Sequence, residues 1–139
     1  MALKIQVVTP DKTHFEGEAT KLVVPAWDGE LGILPKHAPL IARLGHGPLR
    51  VTAPSGQHVT LAVYGGFLKV QDDDVIVLAA GVGEGKELDA ANVETRYADA
   101  KKKVDASRPP KSTPGQFEET LEAYRRAKAN REASKQAKA

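Results

Sequence analysis

Asp28-Gly29-Glu30-Leu31-Gly32-Ile33-Leu34-Pro35-Lys36-His37-Ala38-Pro39-Leu40 sets two glycines and two prolines around a short apolar run, Leu31 to Leu34. That run is too short for a helix. Pro35 and Pro39 cannot donate to a sheet ladder, so the chain after Leu34 is expected at an edge or in a loop. Gly29 and Gly32 permit backbone conformations closed to other residues, which fits a tight turn and a bulge. The pair Lys36-His37 is held between the prolines. A rigid, exposed corner of this kind suits recognition better than catalysis.

Outward from the corner, the first part of the chain reads as short strands. Leu3, Ile5 and Val7 alternate with Lys4 and Gln6, the period of a half-buried strand. Thr9-Pro10-Asp11-Lys12 is a turn, and Thr13 to Val24 a second strand bent at Gly17. Pro39 to Leu44 is a short strand closed by Gly45-His46-Gly47, and Leu49 and Val51 alternate again. Pro54-Ser55-Gly56 turns into Val59 to Val63. Gly65-Gly66 is a two-residue hairpin signal before Phe67 to Val70. Asp72-Asp73-Asp74 is a polar turn into Val75 to Ala79. Many short strands with frequent turns predict an all-β sandwich or flattened barrel.

The second part differs. Residues 88–139 hold 7 large apolar side chains against 30 in residues 1–87. Asp89 is a candidate N-cap. Val93, Tyr97, Ala100 and Val104 form one helical stripe, and Phe117, Leu121 and Tyr124 form another. The proline-rich span from Arg108 to Gly115 separates them as a connection. An antiparallel helical hairpin follows, with the stripes facing each other. The expected class is therefore α+β: a β-sandwich over residues 1–86 and a helical hairpin over residues 87–139, joined by a hinge at Ala80 to Glu87. The apolar stripe is thin, so this hairpin is able to open when a partner offers it a better surface.

Composition narrows the chemistry. The chain has 139 residues, 27% charged and 41% hydrophobic, and no cysteine, so disulfides and thiolate metal sites are excluded. No apolar run approaches the roughly 20 residues needed to span a bilayer. Met1-Ala2-Leu3-Lys4-Ile5 lacks the features of a signal peptide, so a cytoplasmic location is expected. Residues 1–87 carry 8 Lys and Arg against 10 Asp and Glu, whereas residues 88–139 carry 12 against 8. The basic second part implies an acidic partner. Nucleic acid is a poor fit, because net charge is only +2 and aromatics are 5%. His14, His37, His46 and His58 show no metal-ligand spacing. Ala80-Gly81-Val82-Gly83-Glu84-Gly85-Lys86-Glu87 fails the phosphate-loop pattern at both Ala80 and Glu87. The three aspartates lack calcium-loop spacing. No catalytic set is visible, and no cofactor or metal is expected.

In Gly29-Glu30-Leu31-Gly32-Ile33, Pro35 and His37-Ala38-Pro39-Leu40 the chain resembles the epsilon subunit of bacterial F-type ATP synthases, the delta subunit of the mitochondrial enzyme. That family's pattern runs Gly-Glu-Leu-Gly-aliphatic-X-Pro-Gly-His-Ala-Pro-Leu. Lys36 departs from it, standing where the family usually has Gly. Either this turn needs no positive φ, or the partner surface compensates. Tyr64-Gly65-Gly66-Phe67-Leu68-Lys69-Val70 and Val75-Ile76-Val77-Leu78-Ala79 are similar to two further family segments, in family order.

The resemblance implies a non-catalytic central-stalk subunit, peripheral to the membrane on the cytoplasmic side of the bacterial inner membrane. Its sandwich would pack on the gamma subunit and touch the c-ring, coupling proton flow to rotation and ATP synthesis. Glu30 lies where the family's loop faces the ring, His37 where it meets gamma, and Leu40 ends the same interface. The family's helical domain can extend along gamma and inhibit hydrolysis, its basic residues meeting an acidic segment of the catalytic beta subunit within the alpha/beta ring. Arg125, Arg126, Lys128 and Arg131 are the candidates for those contacts. Some members bind ATP through an (Ile/Leu)-Asp-X-X-Arg-Ala motif. Here Leu88-Asp89-Ala90-Ala91-Asn92-Val93 keeps only Leu88 and Asp89, a degenerate remnant that implies weak or no ATP binding. The residues alone leave open a free-standing β-sandwich binding module with a helical oligomerisation tail.

Overall fold

A computed structural model of the chain describes residues 2–84, 88–107 and 114–138. Its strands are β1 (Leu3–Val8), β2 (Thr13–Ala19), β3 (Lys21–Ala26), β4 (Gly29–Ile33), β5 (Leu40–Thr52), β6 (His58–Gln71), β7 (Asp74–Ala79) and β8 (Val82–Gly83). Two helices follow, α1 (Ala90–Ala106) and α2 (Pro114–Lys138). The strand order is β2-β1-β7-β6-β5-β3-β4, with β8 pairing to β6. The β1–β7 pairing is parallel and the others are antiparallel. The path runs from β2 at one end to β4 at the other and does not close, so the fold is an open sandwich and not a barrel.

One continuous sheet makes two layers because its two longest strands bend. In β5, Leu44 points inward before the bend and Leu49 and Val51 after it, so the buried positions change from even to odd numbers. In β6, Leu61 and Val63 are buried before the bend and Leu68 and Val70 after it, the opposite switch. The register passes from Leu44↔Gly66 to His46↔Tyr64 at this place. Bends of this kind let one sheet fold over and face its own core. Leu3, Ile5, Val7, Leu22, Val24, Ile33, Leu49, Val51, Val63, Leu68, Val70, Val75 and Val77 fill the space between the layers and are essentially inaccessible.

Several local expectations change for this reason. Gly65-Gly66 is not a hairpin: β6 runs through it, and both residues take positive φ, 86° and 127°. Gly45-His46-Gly47 does not close a strand, because β5 continues to Thr52. The strand expected over Thr13 to Val24 breaks at Thr20, whose N–H donates to the Thr52 carbonyl 2.8 Å away as the chain crosses from β1 to the β5 side. Gly17 stays within β2, opposite Ile5. Irregular register occurs between β1 and β2 at Val7/Val8 and between β3 and β5, while Gly32 pairs with Val23 in β4 without a bulge. Of the expected hinge, Val82–Gly83 pairs with Ala62 and Val63, and residues 85–87 lie outside the described residues. The expected connection at residues 108–113 also lies outside them, and Pro114 and Gly115 open α2. Proline suits a first helical position, where its missing N–H has no partner to lose.

The hairpin forms as its stripes require. Val93 and Val104 are buried, and the rings of Tyr97 and Tyr124 meet with centroids 5.6 Å apart. Asp89 caps α1 by accepting the Ala91 N–H at 3.1 Å. α2 carries a second buried face, built from Ala127, Ala129, Asn130, Ala133 and Ser134. Ala129 and Ala133 lie on Ala62 and Tyr64 of β6, so the hairpin is folded down on the sandwich. There the Tyr64 hydroxyl donates to Asn130 Oδ1 at 2.7 Å in a buried bond. Gly83 makes this approach possible, since a β-carbon on it would stand 2.2 Å from Asn130 Oδ1 and 2.3 Å from the Tyr64 hydroxyl. Gly83→Ala is therefore expected to weaken docking by about 1–3 kcal/mol, the cost of stranding buried polar groups. Limited trypsin digestion should then cut α2 faster while the sandwich core persists. An unchanged digestion rate would show that the node does not hold the helix.

Candidate functional site

The corner of residues 28–40 is an edge strand followed by a pinned loop. Glu30 sits exposed on β4 opposite Pro25, and β4 ends the sheet path. The loop after Ile33 is closed by the His37 N–H donating to the Leu34 carbonyl at 3.2 Å. Lys36 has φ 67°, so the turn does require positive φ, and the first of the two explanations for its presence fails. Its N–H donates to Asp73 Oδ1 at 2.6 Å. Asp72 and Asp73 form the β6–β7 turn with φ 51° and 64°, the paired positive values of a tight two-residue hairpin. The corner loop is thus strapped to a second strained turn by one charge-assisted bond. His37 Nδ1–H donates to the Ala38 carbonyl at 2.7 Å, which puts the proton on Nδ1. Leu40 is half-buried and packs against the core.

Beside the corner lies an exposed apolar face. The register aligns Arg43, Phe67 and Leu78 in one row across β5, β6 and β7, and Ile41, Lys69 and Ile76 in the next. Ile41 is 73% exposed, Trp27 70%, Phe67 57% and Leu78 53%. Trp27, Glu30, Leu31, Ile41 and Arg43 line a shallow groove there. Glu30 therefore adjoins this face, whereas His37 and Leu40 lie outside the groove. Sequence reasoning missed Trp27, Ile41, Phe67 and Leu78. For the last three the signal was available: Leu40-Ile41, Phe67-Leu68 and Val77-Leu78 are apolar at both strand parities, so one residue of each pair must face outward.

The basic residues of α2 divide into two groups. Arg126 Nε lies 3.8 Å from a Glu122 oxygen, and its guanidinium sits 4.9 Å over the Tyr64 ring. Arg131 donates to Glu94 at 3.0 Å and lies 4.6 Å over the Tyr97 ring. The Glu94 carboxylate holds the Arg131 pKa above its usual value. Arg125 and Lys128 are exposed, Arg125 only 4.0 Å from Glu118. A cleft of about 620 Å³ between the helices and Tyr64 is lined by Arg96, Lys103 and Arg126 together with Asp99 and Glu119. Asp89 does not line it, being used as the α1 cap.

Residues 2–84 match the family model described as the ATP synthase, Delta/Epsilon chain, beta-sandwich domain. The chain belongs to this family. It is 34% identical over 134 residues to the ATP synthase epsilon chain of Synechococcus elongatus, covering 96% of each chain. It is 41% identical over 101 residues to that of Dichelobacter nodosus, covering 73% of this chain and 71% of the relative. Its fold is that of a chain in the Euglena gracilis mitochondrial ATP synthase OSCP/F1/c-ring structure, with TM-score 0.75 at 18% identity over 92% of this chain and 78% of the other. A chain in the Tetrahymena thermophila mitochondrial ATP synthase central stalk/c-ring structure matches with TM-score 0.57 at 16% identity, over 99% and 97%.

The family pattern's glycine at the position of Lys36 now has a physical reason, since a glycine takes φ 67° without steric cost. Lys36→Gly is expected to raise stability by about 1 kcal/mol. Urea denaturation checks this, and an unchanged or lower midpoint would mean that the Lys36 side chain repays its backbone strain.

Proposed function

We propose that this epsilon-family chain is a non-catalytic central-stalk subunit of an F-type ATP synthase, with the sandwich of residues 1–86 as its coupling module and residues 87–139 as its regulatory module. The observation that carries the reading is the exposed apolar face of Ile41, Phe67 and Leu78, which lies beside the Glu30 groove on the family's sandwich. Large exposed apolar side chains in adjacent sheet rows fit a protein partner. The gamma subunit is assigned to that face and to His37 and Leu40, and the c-ring to the edge at Glu30. Among the described residues no helix is long and apolar enough to cross a membrane. Attachment through the c-ring would hold the subunit at the cytoplasmic side of a bacterial inner membrane.

The folded-down hairpin gives the regulatory part its form. Arg126 and Arg131 are held by Glu122, Tyr64, Glu94 and Tyr97 in this state, and Arg125 and Lys128 stay exposed. Release of the hairpin from the sandwich would free Arg126 from Tyr64, and parting of α1 from α2 would free Arg131 from Glu94 and Tyr97, so that both could join Arg125 and Lys128 against the acidic surface of the catalytic beta subunit.

Phe67→Asp together with Ile41→Asp places two charges on the apolar face and is expected to abolish co-purification with gamma, alpha and beta subunits. Retained co-purification would move the interface elsewhere. Deleting residues 88–139 should raise the ATP hydrolysis rate of the reconstituted complex without preventing assembly, and an unchanged rate would count against inhibition. Asn92 and Val93 replace the Arg-Ala of the nucleotide motif, so calorimetry on the isolated chain should find no micromolar ATP binding.

A further inference from the structure

The docked hairpin is clasped to the sandwich by a titratable pair. His46 lies in β5 at the bend, directly across from Tyr64 in β6, their rings stacked with centroids 6.3 Å apart. Its Nε2 meets both oxygens of Glu122 on α2, the longer contact being 3.0 Å. The same carboxylate is approached by Arg126 from the next turn of α2. Tyr64 is held by Asn130 one further turn along. One helix face thus delivers Glu122, Arg126 and Asn130, at a spacing of four, onto a single cross-strand pair.

We propose that the proton on His46 sets how firmly the hairpin is docked on the sandwich. The charged groups around the imidazole fix the sign. α2 presents the Glu122 carboxylate directly and the Arg126 guanidinium behind it. β6 presents the Tyr64 ring, and β3, the other neighbour of β5, brings Pro25 and Ala26, which carry no charge. A protonated His46 therefore makes a charge-assisted bond to Glu122. A neutral His46 can still donate one N–H but loses the charge, so its bond to Glu122 is weaker. The charged clasp exists only in the docked state, so docking strengthens as pH falls and weakens as pH rises through neutrality. The side chains of the pair are 21% and 35% exposed, so solvent screening keeps the effect modest. The inference goes beyond the inhibitory reading and stands without it, since it concerns an equilibrium of the chain by itself.

The sequence has no cysteine, so two introduced ones label cleanly. Ser55→Cys in the β5–β6 turn and Lys135→Cys on α2 are both at exposed positions and can carry a fluorescent pair in the full-length chain. Between about pH 5.5 and about pH 8 the ratio of released to docked molecules is expected to rise about two- to fivefold. His46→Gln keeps a polar side chain and removes the titration, so its ratio should not change with pH. Glu122→Gln should flatten the same slope from the other side, and serves if the first variant folds poorly. His14 is a second histidine, whose contacts with Thr9 and Glu84 lie within the sandwich, so His14→Gln is the control and should retain the slope. A pH-independent ratio in the parent chain, an unaltered slope in both clasp variants, or loss of the slope in His14→Gln alone would each overturn the proposal.

Discussion

At Gly66 a β-carbon would stand 2.0 Å from the carbonyl oxygen of Leu78, so no other residue can occupy this position without moving β7. The constraint is local, but both layers depend on it. Where β6 bends at Gly65-Gly66 and β5 at Gly45, each strand changes which of its faces is buried. Only then can Leu49, Val51 and Val63 share a core with Leu68, Val70 and Val75. The same bend sets His46 and Tyr64 side by side under α2. Beyond it, the outward residues of β5, β6 and β7 form the apolar face next to the corner. The core, the apolar face and the seat of the hairpin therefore share one geometric origin.

Alternation over Leu3 to Val7 and Val75 to Ala79 identifies strands because those segments obey a single parity. β5 and β6 obey two. Their glycines look like chain reversals in sequence because a glycine pair is equally compatible with a hairpin and with a sharp bend in a continuing strand. Only the cross-strand partner, Leu78 for Gly66, separates these cases, and it is distant in sequence. Thr20 is similar: nothing in Ala19-Thr20-Lys21 marks a crossing, which is set by the partner Thr52.

The corner was readable as a rigid edge, and the resemblance it carries led to the right family. The strap from Asp73 to Lys36 was not readable, because it joins residues 37 positions apart through a backbone donor. The docking face of α2 was missed for a different reason. A count of large apolar side chains finds only the stripe that joins the two helices. The face toward the sandwich is made of Ala129, Ala133 and Asn130, with Ala127 and Ser134 also buried on α2, and this burial depends on close approach and not on bulk.

That small-residue face has a consequence for reversibility. A methyl group offers little surface to water, so baring Ala129 and Ala133 costs far less than baring two leucines at about 25 cal/mol per Å². Asn130 and Ser134 can exchange their protein contacts for water. A helix faced in this way can leave the sandwich without becoming adhesive. It can also return without competing against self-association.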